Sequence, residues 1–156
     1  EEPRALYARI MDSEGDLETD LEVIQNALRE TASRPGAFVC EYGFFREAYR
    51  LEARRAARSG NCVHLALITV TLPGGGVPEL GALNTTMDKL LDVIVGCLRR
   101  GDVVARYSGS QYVILLPAAN FEDSTMVMER IITTFNRQYR RNFLKLAYRI
   151  REMDLT

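Results

Sequence analysis

The stretch LRRGDVVARYSGSQYVILLP, residues Leu98–Pro117, contains two apolar, β-branched runs separated by Ser108, Gly109 and Ser110. Asp102–Tyr107 and Gln111–Leu116 each have the length and composition of a strand, and Ser-Gly-Ser supplies turn chemistry between them. The pair therefore predicts a β-hairpin. Ahead of it, Met87, Leu90, Leu91, Ile94 and Leu98 recur at spacings of three and four, the stripe of a helix packed on a core. Pro117 cannot donate to a sheet ladder and ends the second strand.

Working outward, Asn120–Tyr139 predicts a helix with Met126, Ile131, Ile132 and Phe135 facing inward. Phe143–Arg151 alternates through Leu144, Leu146, Tyr148 and Ile150, as a half-buried strand does. Upstream, Val63–Thr71 is apolar enough for a central strand, and the Gly-rich run from Leu72 to Pro78 must be loop. Phe44, Phe45, Ala48, Leu51 and Arg55 predict a helix over Tyr42–Arg58, closed by Ser59, Gly60 and Asn61. Leu17, Leu21, Val23, Ile24, Ala27 and Leu28 predict a further helix to about Glu30, with Asp16 or Thr19 as its cap. The order α, α, β, α, β-hairpin, α, β implies an α/β fold with a mixed sheet covered by helices, not an all-parallel one.

The chain has 156 residues, 47% hydrophobic and 26% charged, with 20 basic against 21 acidic side chains. That length suits one core burying roughly two thirds of the unfolded surface, and the composition excludes a disordered polyelectrolyte. The apolar run Val113–Leu116 is far short of the ~18 residues of a membrane span. No secretory leader opens the chain, and a first residue of Glu suggests a fragment of a longer protein. The near-neutral total conceals two unlike parts. Residues 1–34 carry nine acids and four bases, net −5; residues 35–156 carry sixteen bases and twelve acids, net +4. With the turn-forming stretch Thr31–Gly36 between them, the expected organisation is a lead-in helix and linker over 1–34 and one domain over 35–156. Eighteen of the bases are Arg, whose planar fork suits phosphate or carboxylate. The plainer reading is a solvated surface. Cys40, Cys62 and Cys97 have neither disulfide nor zinc spacing and read as buried thiols of a reducing, cytoplasmic protein.

Leu98–Pro117 resembles the core of GGDEF domains, the family of diguanylate cyclases. In that family a helix ends in R-x-x-D, a strand leads into R-Y-G-G-[DE]-E-F at a hairpin tip, and an apolar strand closes with L-P. The resemblance reaches back through the strand Leu65–Thr71 and the helix Phe45–Arg58 and covers about residues 36–151. It implies a palm-like, largely antiparallel sheet with the hairpin tip at the active site. The G-G-D-E-F pentad falls on Ser108, Gly109, Ser110, Gln111 and Tyr112. An acid that helps hold magnesium in active members is thus Ser110 here, and the first acid of the D-x-D pair falls at about Thr69. Two divalent cations need hard, anionic oxygen ligands, which hydroxyls do not supply. Ser108 adds a side chain where glycine lets phosphate approach the backbone.

By the same resemblance the base-reading positions fall on Glu41 and Asn84, a changed chemistry that can still bond a purine edge. The F-K-x-x-N-D and G-H segments are absent from the loop 72–83, and the triphosphate-contacting helix A-D-x-A-L-Y-x-A-K is not found before Thr156. Arg99 and Asp102 do fit R-x-x-D, the inhibitory site at which the family holds cyclic di-GMP. A bidentate Arg beside a carboxylate can hold a guanine face and edge. The alternative is that Asp102 turns the chain and Arg99 pairs with it. Arg46, Arg50, Arg54 and Arg58 form a basic ridge on one helix, read either as a phosphate stripe or as a solvated face tempered by Glu47 and Glu52. No aromatic residue interleaves that ridge in the sequence pattern.

His64 lacks ligand-spaced neighbours, Ser108 and Ser110 lack a local His base, and no catalytic residue, metal site or cofactor is expected. Leu6–Leu17 resembles segments that follow the bacterial transcriptional activator domain in large regulators. The expectation is therefore a non-catalytic regulatory or sensory domain of a bacterial signalling or transcription regulator, acting by ligand binding or dimerisation. The alternatives are a cyclic di-GMP or other nucleotide receptor through Arg99 and Asp102, and a residual nucleotide cyclase. Expected partners are a cyclic dinucleotide or other nucleotide, and a second copy or an attached output domain. Neither membrane nor direct nucleic-acid binding is expected.

Overall fold

The computed structural model describes residues 17–30, 35–76, 78–140 and 143–154. It separates into two units, Glu1–Arg34 and Pro35–Thr156. The first contains helix α1 (Leu17–Leu28), with Glu18 and Asp20 in its first turn, where acids favour the helix dipole. Thr19 lies inside that turn and is not its cap; Asp16, with the rest of the activator-like stretch from Leu6 up to it, lies outside the described residues. Leu21, Ile24 and Leu28, three and four apart, are each at least half exposed.

The second unit runs β1 (Phe38–Cys40), α2 (Tyr42–Ser59), β2 (His64–Thr71), α3 (Leu80–Cys97), β3 (Val103–Ser108), β4 (Gln111–Leu116), α4 (Phe121–Gln138) and β5 (Lys145–Glu152). The sheet order is β1-β3-β4-β2-β5. Only β1–β3 is parallel; β3–β4, β4–β2 and β2–β5 are antiparallel. The fold is thus mixed α/β with a largely antiparallel sheet, and each expected element is present, all but α3 within two residues; α3 begins at Leu80, seven residues before Met87 and inside the stretch 72–83 read as loop. The addition is β1, whose three residues are too few to show a period. Its amide Phe38 N donates to Asp102 O at 2.9 Å, and the ladder continues Phe38↔Val103 to Cys40↔Ala105. Asp102 itself belongs to the preceding turn, so β3 starts one residue later than the sequence pattern predicts.

Two-residue alternation along β2 decides how the layers form. His64, Ala66, Ile68 and Val70 are buried against α3 and α4 with Met87, Leu90, Ile94, Met128, Ile131 and Phe135. Each fully buried aliphatic or aromatic side chain there contributes about 1.5–3 kcal/mol relative to exposure. Leu65 and Leu67 face the other side, where α2 places Phe45 and Ala56 against Ala105 and Leu115. His64 is a core residue: its Nδ1 lies 2.8 Å from the Ala119 carbonyl oxygen. Asn120 caps α4 by accepting from Asp123 N at 2.7 Å. Among the described residues no helix is long and apolar enough to cross a membrane.

Gly36 enters β1 with φ of +94°, and a Cβ there would overlap the Val95 carbonyl of α3. Gly43, in α2, has no atom within 4 Å of its Cβ position. Gly36→Ala is expected to destabilise by ~2 kcal/mol or more, combining a left-handed backbone with a backbone clash. Gly43→Ala is expected to stabilise by about 0.5–1 kcal/mol through helix propensity. Urea unfolding of both variants checks the opposite signs; a neutral Gly36→Ala would contradict the close approach of β1 to α3.

Candidate functional site

Antiparallel pairing of β2 with β4 sets Thr69 directly opposite Gln111. Gln111 Nε2 donates to Thr69 Oγ1 at 3.1 Å, and Gln111 Oε1 accepts from Ser108 Oγ at 2.9 Å. Ser108 Oγ in turn accepts from Ser110 N at 3.3 Å, and Val70 N donates to Ser110 O at 2.8 Å. The positions matched to the family's metal acids, Thr69 and Ser110, are therefore brought to one place. They join a chain of hydroxyls, an amide and backbone, all neutral.

Arg106 holds this tip from the neighbouring strand. A register shift between Arg106 and Ser108 bends β3, and Arg106 Nε donates to Ser108 O at 3.3 Å. Its Nη2 donates to Gly109 O at 2.8 Å and to Asn84 Oδ1 at 3.2 Å. One guanidinium thus ties the turn to α3. The sequence pattern does not single out Arg106; its only signal there is an Arg two residues before a tight turn, on the strand face that looks at a helix. Tyr112, the last pentad position, is buried and its hydroxyl donates to Met87 O at 3.0 Å. Burial raises the pKa of that hydroxyl, with Arg106 opposing and Asp88 and Asp92 reinforcing.

Arg99 and Asp102 lie at the other end of β3. Asp102 Oδ2 accepts from Arg99 N at 2.8 Å, and Asp102 N donates to Arg99 O at 3.0 Å. The carboxylate thus closes the α3–β3 turn while the Arg99 side chain is exposed. Burial raises the Asp102 pKa; the Arg99 amide and the Arg99 charge pull it down. Glu41 occupies the N-cap position of α2 without a side-chain capping bond. Asn84 is in α3 and its amide oxygen is occupied by Arg106. Since α2 and α3 cover opposite sheet faces, Glu41 and Asn84 are not joined into one base-reading pair. On the α2 ridge, Arg50 pairs with Glu47, and the neighbouring Arg55 with Glu52.

The family's divalent cations do not fit the donors at the tip. Thr69, Ser108 and Ser110 offer hydroxyls and Gln111 an amide, none carrying the negative charge that such ions require. Among the described residues no group of three His, Cys, Asp or Glu side chains could hold a metal ion.

Residues 84–150 match the family described as "Diguanylate cyclase, GGDEF domain". Over those residues the chain is similar to a GGDEF domain. It is 26% identical over 132 residues to diguanylate cyclase DgcP of Pseudomonas aeruginosa, covering 82% of this chain and 19% of that protein. The chain thus spans about a fifth of the length of that curated relative. A diguanylate cyclase structure from Thermotoga maritima superposes with a TM-score of 0.59 at 14% identity, covering 76% of this chain and 82% of that one. The coiled coil and GGDEF domain of DgcB from Caulobacter crescentus, in complex with c-di-GMP, gives a TM-score of 0.57 at 16% identity, covering 97% and 84%. These structures share the fold described above.

Asp102 makes a pH-dependent stability prediction. Its folded pKa is raised above the ordinary value of 3.8, so the native state binds more protons than the unfolded state in the window just above that value. Stability from this group is present below the window and lost as pH rises through it. Asp102→Asn keeps an oxygen for Arg99 N but removes the titration. Relative to wild type, Asp102→Asn is expected to gain stability as pH rises through that window and to hold a constant difference above it. Denaturation from pH 3 upward, in the same salt, tests the sign; a difference that moves the other way would contradict burial as the dominant cause.

Proposed function

We propose that this GGDEF domain is a non-catalytic regulatory module of a bacterial signalling or transcription regulator, working through self-association and ligand binding instead of GTP turnover. The observation that carries the proposal is the neutral, internally bonded hairpin tip. Thr69, Ser108 and Gln111 spend their side chains on one another, where the family's chemistry needs carboxylates to offset two cations and a triphosphate. Arg106 adds a positive charge at the tip, but that guanidinium bonds the turn and Asn84. Electrostatic stabilisation of a transferring phosphoryl group needs donors free to meet it.

Self-association is supported by α1. Leu21, Ile24 and Leu28 present an exposed apolar seam with alternating spacings of three and four, the a/d pattern of a coiled coil. A nucleotide receptor at Arg99 and Asp102 is the second reading, favoured by the exposed Arg99 side chain at the α3–β3 junction. The Asp102 carboxylate keeps a second oxygen beyond the Arg99 amide bond.

Incubation of the chain with GTP and Mg2+ is expected to yield no cyclic di-GMP above an enzyme-free control. Multi-angle scattering is expected to show dimers that grow with concentration and that Ile24→Asp disrupts. Cyclic di-GMP formation that Ser110→Ala abolishes would overturn the non-catalytic reading, and monomers at every concentration would remove self-association.

A further inference from the structure

The basic ridge of α2 is not one uniform face. Arg46 lies over the Tyr42 ring at 5.7 Å and Arg50 pairs with Glu47. Arg54 and Arg58 are exposed and hold no ion pair among the described residues. Beside them runs an apolar stripe that the core does not use. Phe44 is 55% exposed and Leu51 50%, with Ala48 half-buried between them. Phe44, Ala48, Leu51, Arg55 and Arg58 follow at spacings of four, three, four and three, the seam spacing of helices that pack on helices.

At about 100° a residue, Leu51 points about 120° away from Phe45 and about 140° away from Ala56, the side chains α2 buries. The stripe turns to the β1 edge of the sheet, where the Phe38 ring, 40% exposed, packs on that of Phe44 at 5.7 Å. Single exposed apolar side chains are ordinary, but these three share one strip, and charges are arranged around it. Glu47 and Arg54 lie together on one flank of Leu51 and Arg55 on the other, where it pairs with Glu52.

This charge pattern is complementary to itself in one orientation. In an antiparallel two-fold pairing centred on Leu51, each flank meets the same flank of the second copy. Glu47, four residues before the centre, then stands opposite Arg54 of the second copy, three residues after it, and symmetry repeats the pair. Leu51 meets Leu51, and Phe44 meets the Arg58 guanidinium, a cation on an aromatic face. The Glu47–Arg50 pair within the helix is exposed and therefore weak, so it does not hold Glu47 back. A parallel pairing would bring the two Arg58 guanidiniums together, and an acidic partner would press on Glu47. We infer that α2 is an interface between copies of this chain, paired antiparallel about Leu51 with Glu47 and Arg54 forming its two ion pairs. Three apolar side chains from each copy make a small contact, of the transient size class. It extends the proposed self-association but does not use the α1 seam, so either contact can fail without the other.

The test uses the whole chain with Cys62→Ser, which removes the exposed thiol, and with Ile24→Asp, which takes the α1 seam out of the result. Leu51→Cys in that background is expected to form a disulfide-linked dimer on mild oxidation, because the two-fold axis sets the residue against its own copy. Arg46→Cys, exposed but about 140° round the helix from Leu51, is expected to stay unlinked. Added to Leu51→Cys, Arg54→Glu is expected to slow linking at least about threefold, and Glu47→Arg/Arg54→Glu, which exchanges the charges, to restore it. All these positions are exposed, so unchanged circular dichroism confirms that the variants fold. No dimer from Leu51→Cys, equal linking of Arg46→Cys, or no recovery on exchanging the charges would each overturn the inference. So would binding to phosphatidylserine vesicles that Arg54→Glu abolishes while Leu51→Cys stays unlinked, which assigns the stripe to a lipid surface.

Discussion

The antiparallel pairing of β2 with β4 is the constraint on which the rest depends. From His64↔Leu116 to Thr69↔Gln111 the register is unbroken, so one choice fixes both faces of two central strands. A one-residue slip would carry Ile68 and Ile114 out of the α3–α4 core and bring Leu67 and Val113 in. The same slip would part Thr69 from Gln111 and open the hydrogen-bonded tip. Core packing and site geometry are therefore one problem here. The aliphatic side chains that hold the register also hold the site.

Much of this was legible in the sequence. The hairpin, the three long helices of the domain and the strands on either side follow from period and turn chemistry, because those segments have one dry face and one wet one. The correspondence of Thr69 and Ser110 with one site was legible only through the GGDEF resemblance, and the structure places them at the same tip. Two features were not legible. Strand β1 is short and pairs in parallel with a strand more than sixty residues away, so no local pattern marks it. Arg106 matters through bonds to Ser108, Gly109 and Asn84 that depend on a bulge.

The polar groups near the hairpin divide by how they are used. At the tip, hydroxyls and amides satisfy one another, and a satisfied polar network resists opening because any unpaired member would bear the desolvation cost. Asp102 likewise spends one oxygen on the Arg99 amide to make the turn that starts β3 and accepts β1. The Arg99 side chain, by contrast, is exposed at the other end of β3. A proposed shift from turnover to binding is consistent with that distribution. The body is rich in Arg, whose planar fork matches phosphate, while the side chains bonded at the tip carry none of the negative charge needed to organise metal.

The most direct measurement is an amide-resolved NMR titration of the chain with Mn2+ in the presence of GTP, since a bound paramagnetic ion broadens nearby resonances. With a neutral tip, the amides of Thr69, Ser108, Gly109, Ser110 and Gln111 are expected to keep their intensity relative to the rest of β2 and β4. Selective, saturable broadening of those amides would show that the tip binds a divalent ion and would contradict the proposed loss of catalysis.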